Sequence, residues 1–305
     1  MAKGDMRFML ALGMAVLLAF ARPAMQDTFR AGVDVVRVPV VVTAPDGRPA
    51  TGLHAEDFDV LEDGRPQRVQ WFAAGTVVDA LPLHLGLLLD ASESMQRDLP
   101  EAATASIQFV NAVEDSADAT LVDFDTTVRL GRFSPSSYPQ LFERIRNRRA
   151  GGLTALYDAL AVYLAEAMPR EGQHVLILYT DGGDSSSSTT FGRVSELLRS
   201  STNVIVYSIG YLENQSTAFR LEQQMRLTML ARDTGGNAYF PTSGKQIRGI
   251  YDSILRDLTS RYVLGYVSSN QSADGRFRKL QVRLSGSANK KLTVRTRPGY
   301  IAARR

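Results

Sequence analysis

The chain has 305 residues, 44% hydrophobic and 22% charged, enough to bury a sizeable core and to form one large domain with a smaller module beside it. It contains no cysteine, which excludes disulfides, thiolate metal sites, cysteine nucleophiles and a lipid-modified cysteine anchor. The formal charge of +3 hides an asymmetry: Tyr262 to Arg305 carries a net +9, the first 25 residues +2, and residues 26–261 a net −8. Basic charge confined to one terminal segment, without aromatic residues interleaved for base stacking, argues against a nucleic-acid partner. Solvated strand faces account for it, with attraction to a membrane or anionic envelope surface as the alternative.

In residues 1–25, Lys3 and Arg7 precede the apolar run FMLALGMAVLLAFA (8–21), and small residues follow at Ala21 and Ala24. A basic start, a short apolar stretch and a small-residue boundary describe a secretory signal. The run falls short of the roughly 20 residues of a stable span. Arg22 and Pro23 at the boundary keep an uncleaved anchor as the alternative. The expected location is therefore periplasmic, cell-surface or secreted.

In the N-terminal segment 26–80, the pattern from 32 to 80 has period two. Val36, Val38, Val40 and Val42 share one face of an extended segment, PDGRP (45–49) turns the chain, and FDVLEDGRPQRVQWF (58–72) folds about Asp63-Gly64. The segment 261–305 matches it, with RYVLGYV (261–267), FRKLQVRL (277–284) and KLTVRTR (291–297). Neither piece has enough strands to stand alone, so the two are expected to pair into one β-sandwich-like module.

Between them, from 81 to 260, the period changes. LHLGLLLD (83–90), DATLVDF (118–124), HVLILYT (174–180) and NVIVYSIG (203–210) are nearly continuous apolar runs, suited to strands covered on both faces. Helical patterns alternate with them. Leu153, Leu156, Leu160 and Leu164 form one stripe, 218–236 is a helix stopped by Gly235-Gly236, and 247–258 is another. The alternation predicts a largely parallel, doubly wound sheet with helices on both sides.

Sites in such sheets form at the carboxyl ends of strands, near a topological switch point. Three loops leave such ends carrying oxygen ligands: Asp90-Ala91-Ser92-Glu93-Ser94, GGLTALYDAL (151–160) with Thr154, and YTDGGD (179–184) with Asp181. Each has a plain structural reading. Thr154 suits a helix N-cap, Asp158 the first turn of that helix, and Asp181-Gly182-Gly183 a turn. Taken together, five oxygen-bearing residues at one sheet edge suit a hard cation such as Mg²⁺, which takes about six oxygen ligands near 2.1 Å.

DASES, Thr154 in GGLTALYDAL and Asp181 in YTDGGD resemble the metal-ion-dependent adhesion site of von Willebrand factor type A domains, as do VDFDTTVRLGRF (122–133) and ARDTGGNAYF (231–240). The flanking TGLHAEDFDVLEDGRPQ (51–67), RYVLGY (261–266) and RPGYIA (297–302) resemble exported proteins of a type best known from acidobacteria. The resemblance implies an α/β, doubly wound Rossmann-like domain over 81–260, inserted between N- and C-terminal β segments. It implies that Asp90, Ser92, Ser94, Thr154 and Asp181 hold a divalent cation, Mg²⁺ first, with Mn²⁺ or Ca²⁺ as alternatives. The counterpart of Asp181 often acts through water in that family, leaving a position for an Asp or Glu of a protein partner. The expectation is a non-enzymatic adhesion or scaffold protein. The alternatives are a structural envelope protein with a vestigial site and, less favoured, a metal-dependent hydrolase. Of the three histidines, His84 and His174 fall at strand starts and His54 in the β segment, poor places for a base.

Overall fold

The computed structural model describes residues 35–75, 82–113, 115–213, 215–286 and 291–304. The expected signal or anchor at 1–25 lies outside the described residues.

The N-terminal strands are β1 (Val35–Thr43), β2 (Phe58–Glu62), β3 (Arg65–Gln67) and β4 (Trp71–Ala74). The C-terminal ones are β11 (Tyr262–Val267), β12 (Phe277–Leu284), β13 (Thr293–Thr296) and β14 (Gly299–Ile301). They interleave into two four-stranded sheets, β13-β1-β11-β4 and β14-β12-β2-β3. Each sheet needs strands from both ends of the chain, as expected for segments too short to stand alone. Val36, Val38, Val40 and Val42 face the shared core with Phe58, Val60, Leu264, Leu280 and Tyr300. The β2–β3 turn has positive φ at both Asp63 and Gly64, the geometry that makes Asp-Gly a hairpin signal. The expected single strand pair over 58–72 is divided, however: Trp71 and Phe72 cross to the other sheet, where β4 pairs with β11.

Between these segments lies a six-stranded sheet in the order β10-β9-β8-β5-β6-β7. Its members are β5 (Leu83–Asp90), β6 (Ser116–Phe124), β7 (Val128–Phe133), β8 (Gln173–Thr180), β9 (Val204–Gly210) and β10 (Ala238–Tyr239). All pairings are parallel except the edge strand β7, which turns back on β6. The helices α1 (Leu99–Ala112), α2 (Tyr138–Arg146) and α6 (Lys245–Ser260) cover one face, packing on Leu85, Leu87 and Leu89. The other face, with Leu88, is covered by α3 (Leu156–Ala167), α4 (Phe191–Ser200) and α5 (Thr217–Arg232). Burial on both sides is why these strands read as unbroken apolar runs. Gly86 is required by this packing: a Cβ there would lie 2.4 Å from the Tyr163 hydroxyl.

Two details differ from expectation. Leu153 is 56% exposed and precedes α3, so the apolar stripe begins at Leu156. The basic terminal segment is not wholly solvated: Arg278 and Arg297 are buried. Arg297 donates to the carbonyls of Leu198, Arg199 and Ser201 (3.1–3.3 Å) at the C-terminus of α4, and to Gly299 O at 2.9 Å. A cation there complements the helix dipole and satisfies orphan carbonyls. Burial pulls its pKa down to about 10, which still leaves it charged at neutral pH. Two residues earlier, Arg295 pairs with Asp257 of α6 and donates to Gly235 O. Helix α6 runs straight into β11, and strand β13 with the residue after it grips both helical layers, α6 through Arg295 and α4 through Arg297.

Replacing Arg297 with Met would remove its hydrogen bonds to four carbonyls, of which Leu198 O keeps a second donor in Ser201 N, at a cost of about 3 kcal/mol. Guanidinium denaturation is expected to show that loss, whereas a change within about 0.5 kcal/mol, the usual range for a surface substitution, would contradict the assignment.

Candidate metal centre

Strand β5 is flanked by β6 on one side and β8 on the other, so the chain changes winding direction between β5 and β8. That crevice is where open α/β sheets place their ligands. Asp90 is the last residue of β5 and is 0% exposed; Asp181 follows β8 directly and is buried.

Each oxygen of Asp90 has a defined partner. Ser92 N donates to Oδ1 at 2.8 Å and Thr180 Oγ1 to Oδ2 at 2.6 Å. Thr180 Oγ1 in turn accepts from Gly182 N at 3.0 Å, so one hydroxyl ties the β5 carboxylate to the Asp181 loop. Gly182 takes φ +99°, and a Cβ there would lie 2.7 Å from Leu212 and 2.8 Å from Gln223; the loop fits because that atom is missing. Ser92 Oγ lies 3.2 Å from Ser94 Oγ, and Ser94 bonds the Asp181 carboxylate. Four of the five expected residues therefore form one hydrogen-bonded chain.

Thr154 comes to the same edge through its backbone. Gly151 N donates to Ala91 O at 2.9 Å and Glu93 N to Gly152 O at 3.2 Å, fastening this loop to the Asp90 turn. Thr154 N donates to Ser185 Oγ at 2.9 Å, and Thr154 O accepts from Ser185 N and Ser186 N at 2.9 and 3.1 Å. The residue is buried, with its main chain fully used and no hydrogen bond to its hydroxyl among the described residues. It is not the N-cap of α3, a position held by Ala155. The first-turn amides of that helix are capped from across the site, Tyr157 N by Asp184 and Asp158 N by Ser187. Asp158 lies in the first turn of α3, as the sequence suggests, and its carboxylate also accepts from Ser188 N and Thr189 N. The SSSSTT stretch (185–190) is thus bonded to α3 and to Thr154.

The electrostatics are those of buried negative charge without a direct ion pair; the nearest cation is Arg148, whose Nη1 reaches the Asp90 carbonyl at 3.5 Å and not its carboxylate. Burial pushes Asp90 up to about 6, with the nearby Asp181 adding to the rise, and burial raises Asp181 as well. Neither carboxylate forms an ion pair among the described residues. Two carboxylates with three hydroxyls fit a hard divalent cation, which favours oxygen ligands. No cluster of three or more His, Cys, Asp or Glu suited to a metal occurs among the described residues, so hydroxyls and water have to complete any shell here.

Two contributors escaped the sequence reading. Thr180 looks like an ordinary strand-end threonine and gains its role only from the β5–β8 pairing. Asp98, just before α1, is buried, and burial with Glu101 and Asp181 nearby pushes it to about 6. It adds negative potential at the same edge.

The histidines lie at the opposite edge. His84 and His174, at the starts of β5 and β8, stack with centroids 4.6 Å apart, and His84 bonds Asp118 and the Glu171 carbonyl. Burial first, then the His84 ring, pulls His174 down to about 4.

The profile of the von Willebrand factor type A domain family matches residues 84–253, more than half of the chain, and the chain belongs to that family. Solved structures of similar fold include a von Willebrand factor type A protein from Catenulispora acidiphila (13% identity, 90% of this chain and 76% of that one, TM-score 0.48). They also include proximal thread matrix protein 1 from the mussel byssus with a zinc-occupied MIDAS motif (19% identity, 64% and 49%, TM-score 0.46). A third is the vWF domain of the type V pili tip protein Mfa5 from Porphyromonas gingivalis (12% identity, 58% and 94%, TM-score 0.46). No curated protein matches the sequence. No helix of the described residues is long and apolar enough to cross a membrane.

Two outcomes follow. A carboxyl whose pKa is raised on folding costs stability above that pKa, so without cation Asp90 destabilises the fold as pH rises through about 6. In EDTA at pH 8, Asp90→Asn is expected to be more stable than wild type by about 1–2 kcal/mol, with some of the relief lost at Thr180. A loss exceeding about 1 kcal/mol would mark the carboxylate as a structural acceptor. His174 acts with opposite sign, because between about pH 6.5 and 4 the unfolded chain binds a proton that the folded chain refuses. Stability should fall across that window by an amount on the order of 3 kcal/mol, and His174→Gln should flatten the slope in pH-dependent urea unfolding. An unchanged slope would contradict the shift.

Proposed function

We propose that this is an exported, non-enzymatic binding protein that grips an acidic residue of a protein partner through a divalent cation. Asp90, Ser92, Ser94, Thr154 and Asp181 hold the ion, Mg²⁺ in the first instance. The observation that carries the reading is the pair of buried carboxylates, Asp90 and Asp181, at the β5–β8 crevice, neither of them in an ion pair among the described residues. A cation bound there would supply a Lewis-acidic centre for a partner carboxylate. The chain's own part is to fix the donors. Thr180 and the Ser92 amide hold Asp90, Ser94 orients Asp181, and the Ser185–Thr154 bonds clamp the third loop.

The domain organisation follows the same reading: an export signal or anchor at 1–25, a β segment at 26–80, the cation-binding domain at 81–260 and a pairing β segment at 261–305. A non-enzymatic role is supported by the remoteness of His84 and His174, at the opposite ends of the strands that carry the site. His54, before the short turn Ala55–Asp57, belongs to the β segment.

Isothermal calorimetry of Mg²⁺, Mn²⁺ and Ca²⁺ against the full chain tests the reading. Wild type is expected to bind one ion, and Asp90→Ala or Asp181→Ala to weaken binding at least tenfold while the fold persists. Retention of an envelope protein in pull-downs should disappear with EDTA and with Asp90→Ala. Heat of binding absent for all three ions would leave a vestigial site.

A further inference from the structure

A second feature lies at the far end of the molecule. A cleft of about 590 Å³, within the size range of binding sites, opens between the C-terminal end of α5 with the loop into β10 on one wall and β12 with β13 on the other. Four arginines line it, Arg232, Arg283, Arg295 and Arg297, and no Asp or Glu does. Arg295 and Arg297 are committed to Asp257 and to backbone carbonyls. Arg232 and Arg283 are exposed and form no ion pair among the described residues; Arg283 only touches Gln281 at 3.2 Å. Asp59 stands opposite Arg283 across the β2–β12 pair without forming an ion pair with it, so the arginines on the two walls present a net positive potential to whatever enters.

The walls also offer backbone. β13 is bonded to β1 alone, and β12 past Lys279 to β2, with Leu280 N additionally donating to Pro298 O. Strand edges of this kind accept an added strand; the Gly235 loop covers the end of β13 at Thr296 and Arg297, which leaves Thr293 to Arg295 beside the cleft.

We propose that this cleft binds an extended acidic segment of a partner protein, its backbone along the β12 and β13 edges and its carboxylates on Arg232 and Arg283. The site is distinct from the cation centre and needs no metal. Arginine suits this role because its planar fork takes a carboxylate bidentately.

A fluorescein-labelled ten-residue peptide alternating Glu and Thr, titrated with the full chain in EDTA and 50 mM salt, provides the test by anisotropy. Saturable one-to-one binding is expected, weakening at higher salt and at least tenfold weaker for the double variant Arg232→Gln, Arg283→Gln. Both side chains are exposed, so thermal unfolding of that variant should match wild type. A peptide of equal charge with proline at alternate positions should bind more weakly, because it cannot donate to a strand edge. Three results would overturn the proposal: no saturable binding, unchanged affinity in the double variant, or equal competition by an oligothymidylate of the same charge. EDTA silences the cation centre, so failure here and failure of the proposed function are separately visible.

Discussion

The structure turns on a carboxylate that water cannot reach. Asp90 ends the central strand of the sheet with both faces of that strand covered, and it is held by the Ser92 amide and by the Thr180 and Ser92 hydroxyls. Burying an ionised carboxyl costs several kcal/mol unless charge or hydrogen bonds offset it, and these hydrogen bonds offset only part. The surrounding loops are arranged around that constraint. Thr180 must sit opposite Asp90, which needs the β5–β8 register; Gly182 must lack a side chain to let Thr180 accept its amide; residues 151 and 152 must bond the turn after Asp90. The charge left over is the feature a divalent cation would neutralise.

The two ends of the strands do different work. The carboxyl ends carry the oxygen-rich crevice. The amino ends carry the connection to the β sheets, through the continuous passage from α6 into β11 and through Arg295 and Arg297, which fasten β13 and the segment after it to α6, α4 and the Gly235 loop. The ends of α6 and α4 remote from the crevice are thus fixed by charge-assisted hydrogen bonds.

Much of this was legible because burial leaves a mark on composition. Strands covered on both sides have to be apolar throughout, so the runs ending at Asp90 and Thr180 could be placed from the sequence, and a carboxylate or hydroxyl at such an end stands out. The spacing of Asp90, Ser92 and Ser94 was visible for the same reason. What could not be read was whatever depends on a partner from elsewhere in the chain. Thr180 and Asp98 are unremarkable until β5 and β8 are side by side. Leu153 continues a helical stripe on paper, yet the bonds of Gly151 and Gly152 to the Asp90 turn leave it outside the helix and in solvent. Arg297 looked like part of a solvated basic tail, because nothing local signals that the C-terminus of α4, about a hundred residues earlier, needs a cation.

Anomalous diffraction from crystals of the full chain grown with Mn²⁺ would test the central claim most directly. The account predicts one strong anomalous peak enclosed by Asp90, Ser92, Ser94, Thr154 and Asp181, at oxygen-ligand distance from the Asp90 carboxylate. A peak elsewhere, with Asp90 still bonded only to Ser92 and Thr180, would contradict it.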